Sequence, residues 1–285
     1  MSDPRDALDA VGQLPDVELD LAGAALQFAR IDAPDRDWQA AQEHLSALAR
    51  DAVDLSRELP SAELAARAGA LAGLMGGRHR YAGDTETYDD PANANLIQVT
   101  ERRRGLPVAL GILWLHCARA AGWSAHGLDF PGHFLIALQG ERPRGKARAT
   151  EPQAIVLDVF AGGVPLGARD LRGLLKRVEG DDAELRPGVL QPMSARSVLL
   201  RLQNNLRGRR QDAGDLPGAL TCIEDMLRIA PDTAVLWRDA AVMNQRLERV
   251  AAALRCYERF LDIVPQGDAA ARTRAAVEEL RSRLN

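Results

Sequence analysis

The sequence predicts an α+β fold in three parts: an N-terminal helical region, a small antiparallel sheet beside one buried helix, and a C-terminal all-α repeat array. Three observations carry that expectation. Apolar residues recur at helical spacing from Leu19 to about Leu74. A run from Leu106 to Leu115, apolar nearly all round, precedes three short strand-like segments. Beyond it, matched residues recur at a fixed offset of 34. The 285 residues suffice for one large or two ordinary domains, and the expected parts are 1–80, 81–185 and 186–285.

In the first part, Leu21, Ala25, Phe28 and Ala29 form one helical stripe that Pro34 breaks. Leu45, Leu48, Ala49 and Ala52 form a second, and Pro60-Ser61 separates it from Leu64, Ala68, Leu71 and Leu74, with Ser61 a plausible helix start. Gly76-Gly77 is expected to end this region. The polar segment from Tyr81 to Asn95 reads as an ordered surface loop or irregular connection.

Pro107 suits the first turn of a helix, where its missing N–H is not needed. Gly122 ends that helix in the manner of a left-handed cap. Strands are expected over Ser124–Asp129, His133–Gln139 and Ala154–Phe160, separated by Pro131-Gly132 and by a polar, Arg-rich hairpin loop from Glu141 to Pro152.

In the last part, Ala219-Leu220 recurs as Ala253-Leu254, Leu227 as Leu261, Ile229 as Ile263 and Pro231 as Pro265. A 34-residue period of paired helices is the tetratricopeptide signature. Trp237, Ala240, Ala241, Ala253, Tyr257 and Pro265 fill its large and small positions in the second unit. Gln203 and Arg207 stand where Trp and Gly are usual in the first, and Gly267–Leu284 supplies a charged capping helix.

Composition narrows the function. Lys+Arg is 36 against Asp+Glu 40, a net charge of −4, without the basic excess of a nucleic-acid-binding surface. No signal peptide opens the chain, and the longest apolar run is about half a bilayer span. The three cysteines, Cys117, Cys222 and Cys256, lie far apart with no CxxC pair, as in a protein of the reducing cytoplasm. His116, Cys117, His126, His133 and Asp158 lack the spacing of metal ligands, so neither a metal nor another cofactor is expected. Cys117, about ten residues into the helix, reads as a core thiol. Cys222 and Cys256 read as equivalent packing positions one repeat apart.

The chemistry, if any, lies in the middle part. His133 opens one strand and Asp158 lies near the end of another. In an antiparallel pair the carboxylate could orient the imidazole, and a buried helix start aimed at the same place would lower the pKa of a thiol there. Asn93 and Asn95 read first as turn formers. Arg102 to Arg104 read as a solvated turn paired with Glu101 or the acidic 84–90 loop, or as an acidic-peptide contact.

The stretches YDDPANANL, RRRGLPVALGILWLHCARAAGW, FPGHFLIAL and LDVFAGG, with the Pro231–Pro265 repeat, resemble the bacterial SirB-type family. In that family a transglutaminase-like domain, papain-like in catalytic geometry, precedes tetratricopeptide repeats. The resemblance implies that His133 matches the family histidine and Asp158 its aspartate. It also puts Pro107 at the position that holds cysteine in active transglutaminases. From Arg102 to Leu115 there is no Cys, Ser or Thr, so covalent acyl transfer lacks its attacking group.

The expected function is therefore non-enzymatic: a cytoplasmic adaptor or regulator that holds a protein or peptide partner on its repeat surface. The resemblance also implies a transcriptional or virulence regulator. Candidate binding residues are Asn93, Arg104, Gly132, His133, Asp158 and Trp237. The alternative is a hydrolase or acyl transferase on peptide or amide bonds, using His133 and Asp158 without the usual cysteine.

Overall fold

The chain opens with a helix that none of these expectations covers. Asp3 accepts from the Arg5 amide at 2.8 Å and Pro4 occupies the first turn, which together start α1 (Pro4–Gln13). The computed structural model describes residues 3–59, 63–140, 154–186 and 188–282. Two compact units emerge: residues 16–202, and residues 1–15 together with 203–285.

In the first unit the helical stripes become α2 (Leu21–Asp32), α3 (Trp38–Glu58) and α4 (Leu64–Ala72). Asp20 caps α2 through the Gly23 amide at 3.2 Å, and Asp37 caps α3 through the Ala40 amide at 3.0 Å. The expected start at Ser61 and the hairpin loop from Glu141 to Pro152 lie outside the described residues. The Gly76-Gly77 pair does not stop the helix. It sits in a π-helical turn over Gly73–Arg78, closed by the His79 amide on the Leu74 carbonyl at 3.0 Å.

The polar segment from Tyr81 to Asn95 holds only a two-residue strand, β1 (Ala82–Gly83), and a 3₁₀ turn over Pro91–Ala94. A short helix, α5 (Leu96–Arg102), follows, and β2 (Arg104–Gly105) pairs parallel with β1. Arg103 between them takes φ 58°, the left-handed cap of α5.

Helix α6 (Pro107–Ala120) is the axis of this unit, apolar nearly all round and buried along most of its length. Gly122, at φ 70°, follows its end as the turn demands. The sheet has order β3 (Ala125–Phe130), β4 (His133–Gln139), β5 (Ala154–Asp158), β6 (Val164–Leu166), all neighbours antiparallel. Gly111 of α6 leaves room for the Phe134 ring of β4. On the other face Leu128, Phe130, Leu135 and Ala137 pack against Leu171 and Leu175 of α7 (Ala168–Glu179). β5 stops at Asp158, short of Phe160, because the Asp158 carboxylate captures the Phe160 and Ala161 amides and turns the chain.

The second unit takes in the end of α8 (Ala195–Asp212), then α9 (Leu216–Ile229), α10 (Ala234–Arg246), α11 (Val250–Ile263) and α12 (Asp268–Ser282). The repeat is visible in the bounds: α9 and α11 start and end 34 residues apart (250 − 216, 263 − 229). Ala241, Ala253 and Tyr257 interlock with Val277 and Leu280 of α12, so the last helix closes the core. Helix α1 packs on α9: Arg5 pairs with the buried Asp225 at 3.3 Å, Arg228 pairs with Asp9 at 2.7 Å, and Gly12 meets the Arg228 carbonyl.

Candidate functional site

His133 is set by the turn before it. Pro131 fixes φ at one corner and Gly132, at φ 64°, occupies the other, where a Cβ would lie 2.8 Å from Val178. Arg201 clamps this turn, donating to the His133 carbonyl at 2.6 Å and the Phe130 carbonyl at 3.3 Å and pairing with Asp129. The imidazole Nε2 then lies 3.0 Å from Asp158 Oδ1. The same oxygen accepts from the Phe160 amide at 3.0 Å and the Ala161 amide at 3.2 Å.

Burial alone would raise the Asp158 pKa. The hydrogen bond and charge of His133, with the two amides, reverse that and hold it below the ordinary carboxylate value. Both side chains are mostly covered, with 16% of His133 and 11% of Asp158 exposed, which leaves the pair reachable from solvent.

The wall beside the pair is aromatic. The Phe160 ring meets His133 edge-on at 6.3 Å, and Tyr88, itself 42% exposed, meets Phe160 at 5.8 Å. Phe160 lies on Gly83, where a Cβ would come within 2.5 Å of the ring. Gly83 pairs with Gly105, two residues before Pro107, so the start of α6 adjoins this wall. Pro107 is buried in the first turn of α6, and no side chain caps that turn. Among the described residues, no sulfur or hydroxyl hydrogen-bonds the His133 ring.

Asn93 is fully buried beneath the 84–90 loop, donating to the Thr87 carbonyl at 2.6 Å while its own carbonyl accepts from the Leu106 amide at 3.0 Å. Its side-chain oxygen is left without a partner among the described residues. Asn95 caps α5 through the Gln98 amide at 3.2 Å. The three arginines before α6 separate. Arg102 pairs with Asp84 at 2.6 Å and lies 3.7 Å from Asp90, Arg103 turns to Tyr81 and His44, and Arg104 is exposed. Asp84 also takes two amides and the Thr87 hydroxyl, and these hydrogen bonds, the Thr87 amide foremost, lower its pKa.

Cys117 is wholly buried, with its sulfur 3.5 Å from Met75 Sδ, and burial followed by the Asp51 charge pushes its pKa up to about 12. It is no substitute nucleophile. Among the described residues no group of three or more His, Cys, Asp or Glu is arranged to hold a metal.

Trp237 does not face a ligand through its indole N–H, which donates to the Pro231 carbonyl at 2.7 Å and ties the loop before α10. The exposed stripe of α10 lies elsewhere. Val235, Arg238, Val242 and Arg246 are all exposed and fall within about 80° of arc at 100° per residue. Val235 is 46% and Val242 40% exposed, and Asp239 beside them pairs with Arg207 at 2.7 Å and with Arg238 at 3.4 Å.

Sequence reasoning did not reach Phe160, Tyr88, Gly83 or Arg201, because an aromatic, a glycine and a lone arginine carry no spacing signal. A further polar cluster also went unseen. Tyr81 Oη lies 2.9 Å from His44 Nε2 and 2.7 Å from Arg103 Nη1, with His79 and Asp51 paired alongside at 2.8 Å.

A buried helix start, a strand histidine and a strand-end carboxylate, followed by paired helices, define a transglutaminase-like core with tetratricopeptide repeats. Residues 39–204 match the family described as Transglutaminase-like superfamily, and residues 206–284 match a tetratricopeptide repeat family. A UPF0162 protein of Pseudomonas aeruginosa is 32% identical over 91% of this chain and 89% of its own length. Another, of Xylella fastidiosa strain Temecula1, is 31% identical over 65% of this chain, which spans 63% of that relative's length. The chain belongs to the UPF0162 family of transglutaminase-like proteins, in keeping with the SirB-type resemblance. A crystal structure of menin covers 91% of this chain and 70% of its own at TM-score 0.40 and 10% identity, a likeness too slight to bear on function. Among the described residues no helix is long and apolar enough to cross a membrane.

Proposed function

We propose that this protein is a non-catalytic adaptor or regulator in the cytoplasm that holds a protein or peptide partner on its repeat surface. The observation that carries the reading is the start of α6: a buried proline heads the helix, and no thiol or hydroxyl occurs from Arg102 to Leu115. The His133–Asp158 pair then serves as a recognition surface, with Arg104, Gly132 and the Asn93-anchored loop at its border. Tetratricopeptide repeats have protein-binding capacity, and the α10 stripe, two exposed valines flanked by Arg246 and the Asp239-paired Arg238, supplies apolar contact with the charge of Arg246 beside it. The test is partner capture by the full chain and by the Val235→Glu, Val242→Glu double variant. The reading requires the variant to lose partners; equal recovery of the same proteins removes the repeat face from it.

A second reading has its own support. His133 and Asp158 stand at 3.0 Å with the carboxylate held ionised, the orientation a general base needs, so water could replace the thiol in amide or ester hydrolysis. Turnover of an amide-substrate panel that disappears in His133→Ala would favour it over the adaptor.

A further inference from the structure

At the opposite end of α6 from Pro107, about 20 Å away at 1.5 Å per residue, lies a cavity of ≈ 520 Å³ that neither the repeat face nor the His133–Asp158 pair uses. Ala22, Leu115, Trp123 and Val198 form its floor, all buried, and Met193 and Ala125 close its sides. A volume of 300–1,000 Å³ with a mostly apolar lining is the ordinary range for small-molecule sites.

Its polar groups lie at the rim and are largely engaged. Asp16 accepts from the Ala195 and Arg196 amides at 2.8 and 2.9 Å, capping α8, and Asp20 caps α2. His116 is taken by the Leu45 carbonyl at 3.0 Å, Ser124 by Gln139 at 3.0 Å, and burial keeps His126 below its ordinary pKa and hence neutral near pH 7. Arg119 gives one hydrogen bond, to the Leu19 carbonyl at 2.7 Å, and most of its guanidinium donors remain for a ligand.

The charges nearly balance. Two aspartates and the C-terminus of α6 face one arginine and two helix N-termini, and with each helix end worth about half a charge the sum stays within about half a unit of zero. A charged ligand entering an apolar floor would lose its hydration with no net charge to replace it.

We propose that this cavity binds an uncharged, largely apolar small molecule carrying one hydrogen-bond acceptor for Arg119. Charge balance and the apolar floor select against an anion or a cation, and Arg119 selects for the acceptor.

The test is calorimetric titration of the full chain near neutral pH with 2-acetylnaphthalene, naphthalene, 2-naphthoate and 2-naphthylmethylammonium. N-acetyltryptophanamide stands for a partner's side chain. The ketone should bind, with each charged probe at least about tenfold weaker. Arg119→Met should bring the ketone down to the affinity of naphthalene. Ala125→Phe, at a half-buried wall position, should abolish binding while circular dichroism stays native. The proposal fails if no naphthalene binds at about 1 mM, if a charged probe matches the ketone, or if Ala125→Phe folds and still binds. Tighter binding of the tryptophan amide than of the ketone also overturns it, in favour of a peptide side chain. If Ala125→Phe does not fold, the Arg119→Met comparison decides the matter, and an unchanged ketone preference there sinks the proposal.

Discussion

Removing the Asp158 carboxylate tests whether the His133–Asp158 pair is part of what holds the core together. Asp158→Ala deletes an oxygen that accepts three hydrogen bonds, from His133 Nε2 at 3.0 Å, the Phe160 amide at 3.0 Å and the Ala161 amide at 3.2 Å. Each hydrogen bond to a charged acceptor is worth about 1.5–3 kcal/mol, and a buried donor left unpaired costs about 1–3 kcal/mol. Water reaches the site, since 11% of the Asp158 side chain is exposed, and replaces part of that loss. We therefore expect Asp158→Ala to cost about 3 kcal/mol. Asp158→Asn keeps an acceptor oxygen in place and loses only the charge, at about 1 kcal/mol. The assay is urea unfolding followed by far-UV circular dichroism. With an m-value of about 2 kcal/mol per molar, the alanine variant should shift the midpoint by about 1.5 M. A cost below about 0.5 kcal/mol for alanine, or equal costs for alanine and asparagine, would refute the reasoning.

Gly83→Val should drive the Phe160 ring off its seat, where even a Cβ falls within 2.5 Å, and cost about 2 kcal/mol in the same urea assay; a neutral substitution would mean the ring contact is dispensable. His44 is pushed down to about 4, by burial first and then by Arg103 and His79, so the unfolded chain takes up its proton first as pH falls. Its contribution is complete above about pH 6.5 and is lost between there and pH 4. The ring is half-buried and partly screened by solvent, which discounts that loss to about 1 kcal/mol, and His44→Gln should flatten the fall in unfolding free energy between pH 7 and pH 4.5 by that amount. Cys117 should resist iodoacetamide in the native chain and react only on unfolding, as mass spectrometry of the labelled peptide would report. Gly12→Leu should free α1 from α9, since its Cβ would meet the Arg228 carbonyl at 2.2 Å, and limited proteolysis should then clip the chain before residue 15; unchanged protection refutes that packing.

Legibility followed periodicity. α6 was plain because Pro107 and Gly122 punctuate an apolar run, and the repeats because alanine, leucine, isoleucine and proline positions recur at 34 residues. The three strands were readable from short β-branched and apolar runs, though their ends were not. β5 ends where Asp158 turns to its own neighbours' amides, a side-chain effect that strand propensity does not contain. β1, β2 and β6 are too short to show alternation, and α1 was hidden in a charged opening where Asp3-Pro4 was the one start signal. At the site, His133 and Asp158 were legible as chemistry-bearing types near strand ends. The aromatic wall and the Arg201 clamp arise from chain segments dozens of residues apart, which no local pattern brings together.

The persistence of a histidine–carboxylate pair beside a start of α6 without a nucleophile has a physical explanation independent of catalysis. Asp158 Oδ1 satisfies two backbone amides of the turn that follows β5, and that turn carries Phe160 onto Gly83 beside the α6 entry. The chain would therefore lose stability on losing the carboxylate whatever the pair does, and the imidazole keeps a charged partner as long as the carboxylate stays. The first turn of α6 has no such second duty, and a buried proline starts that helix well. Geometry of this kind shows what the fold itself must keep. It also moves the search for function toward surfaces the core does not need: the exposed Val235–Val242 stripe and the cavity floored by Trp123.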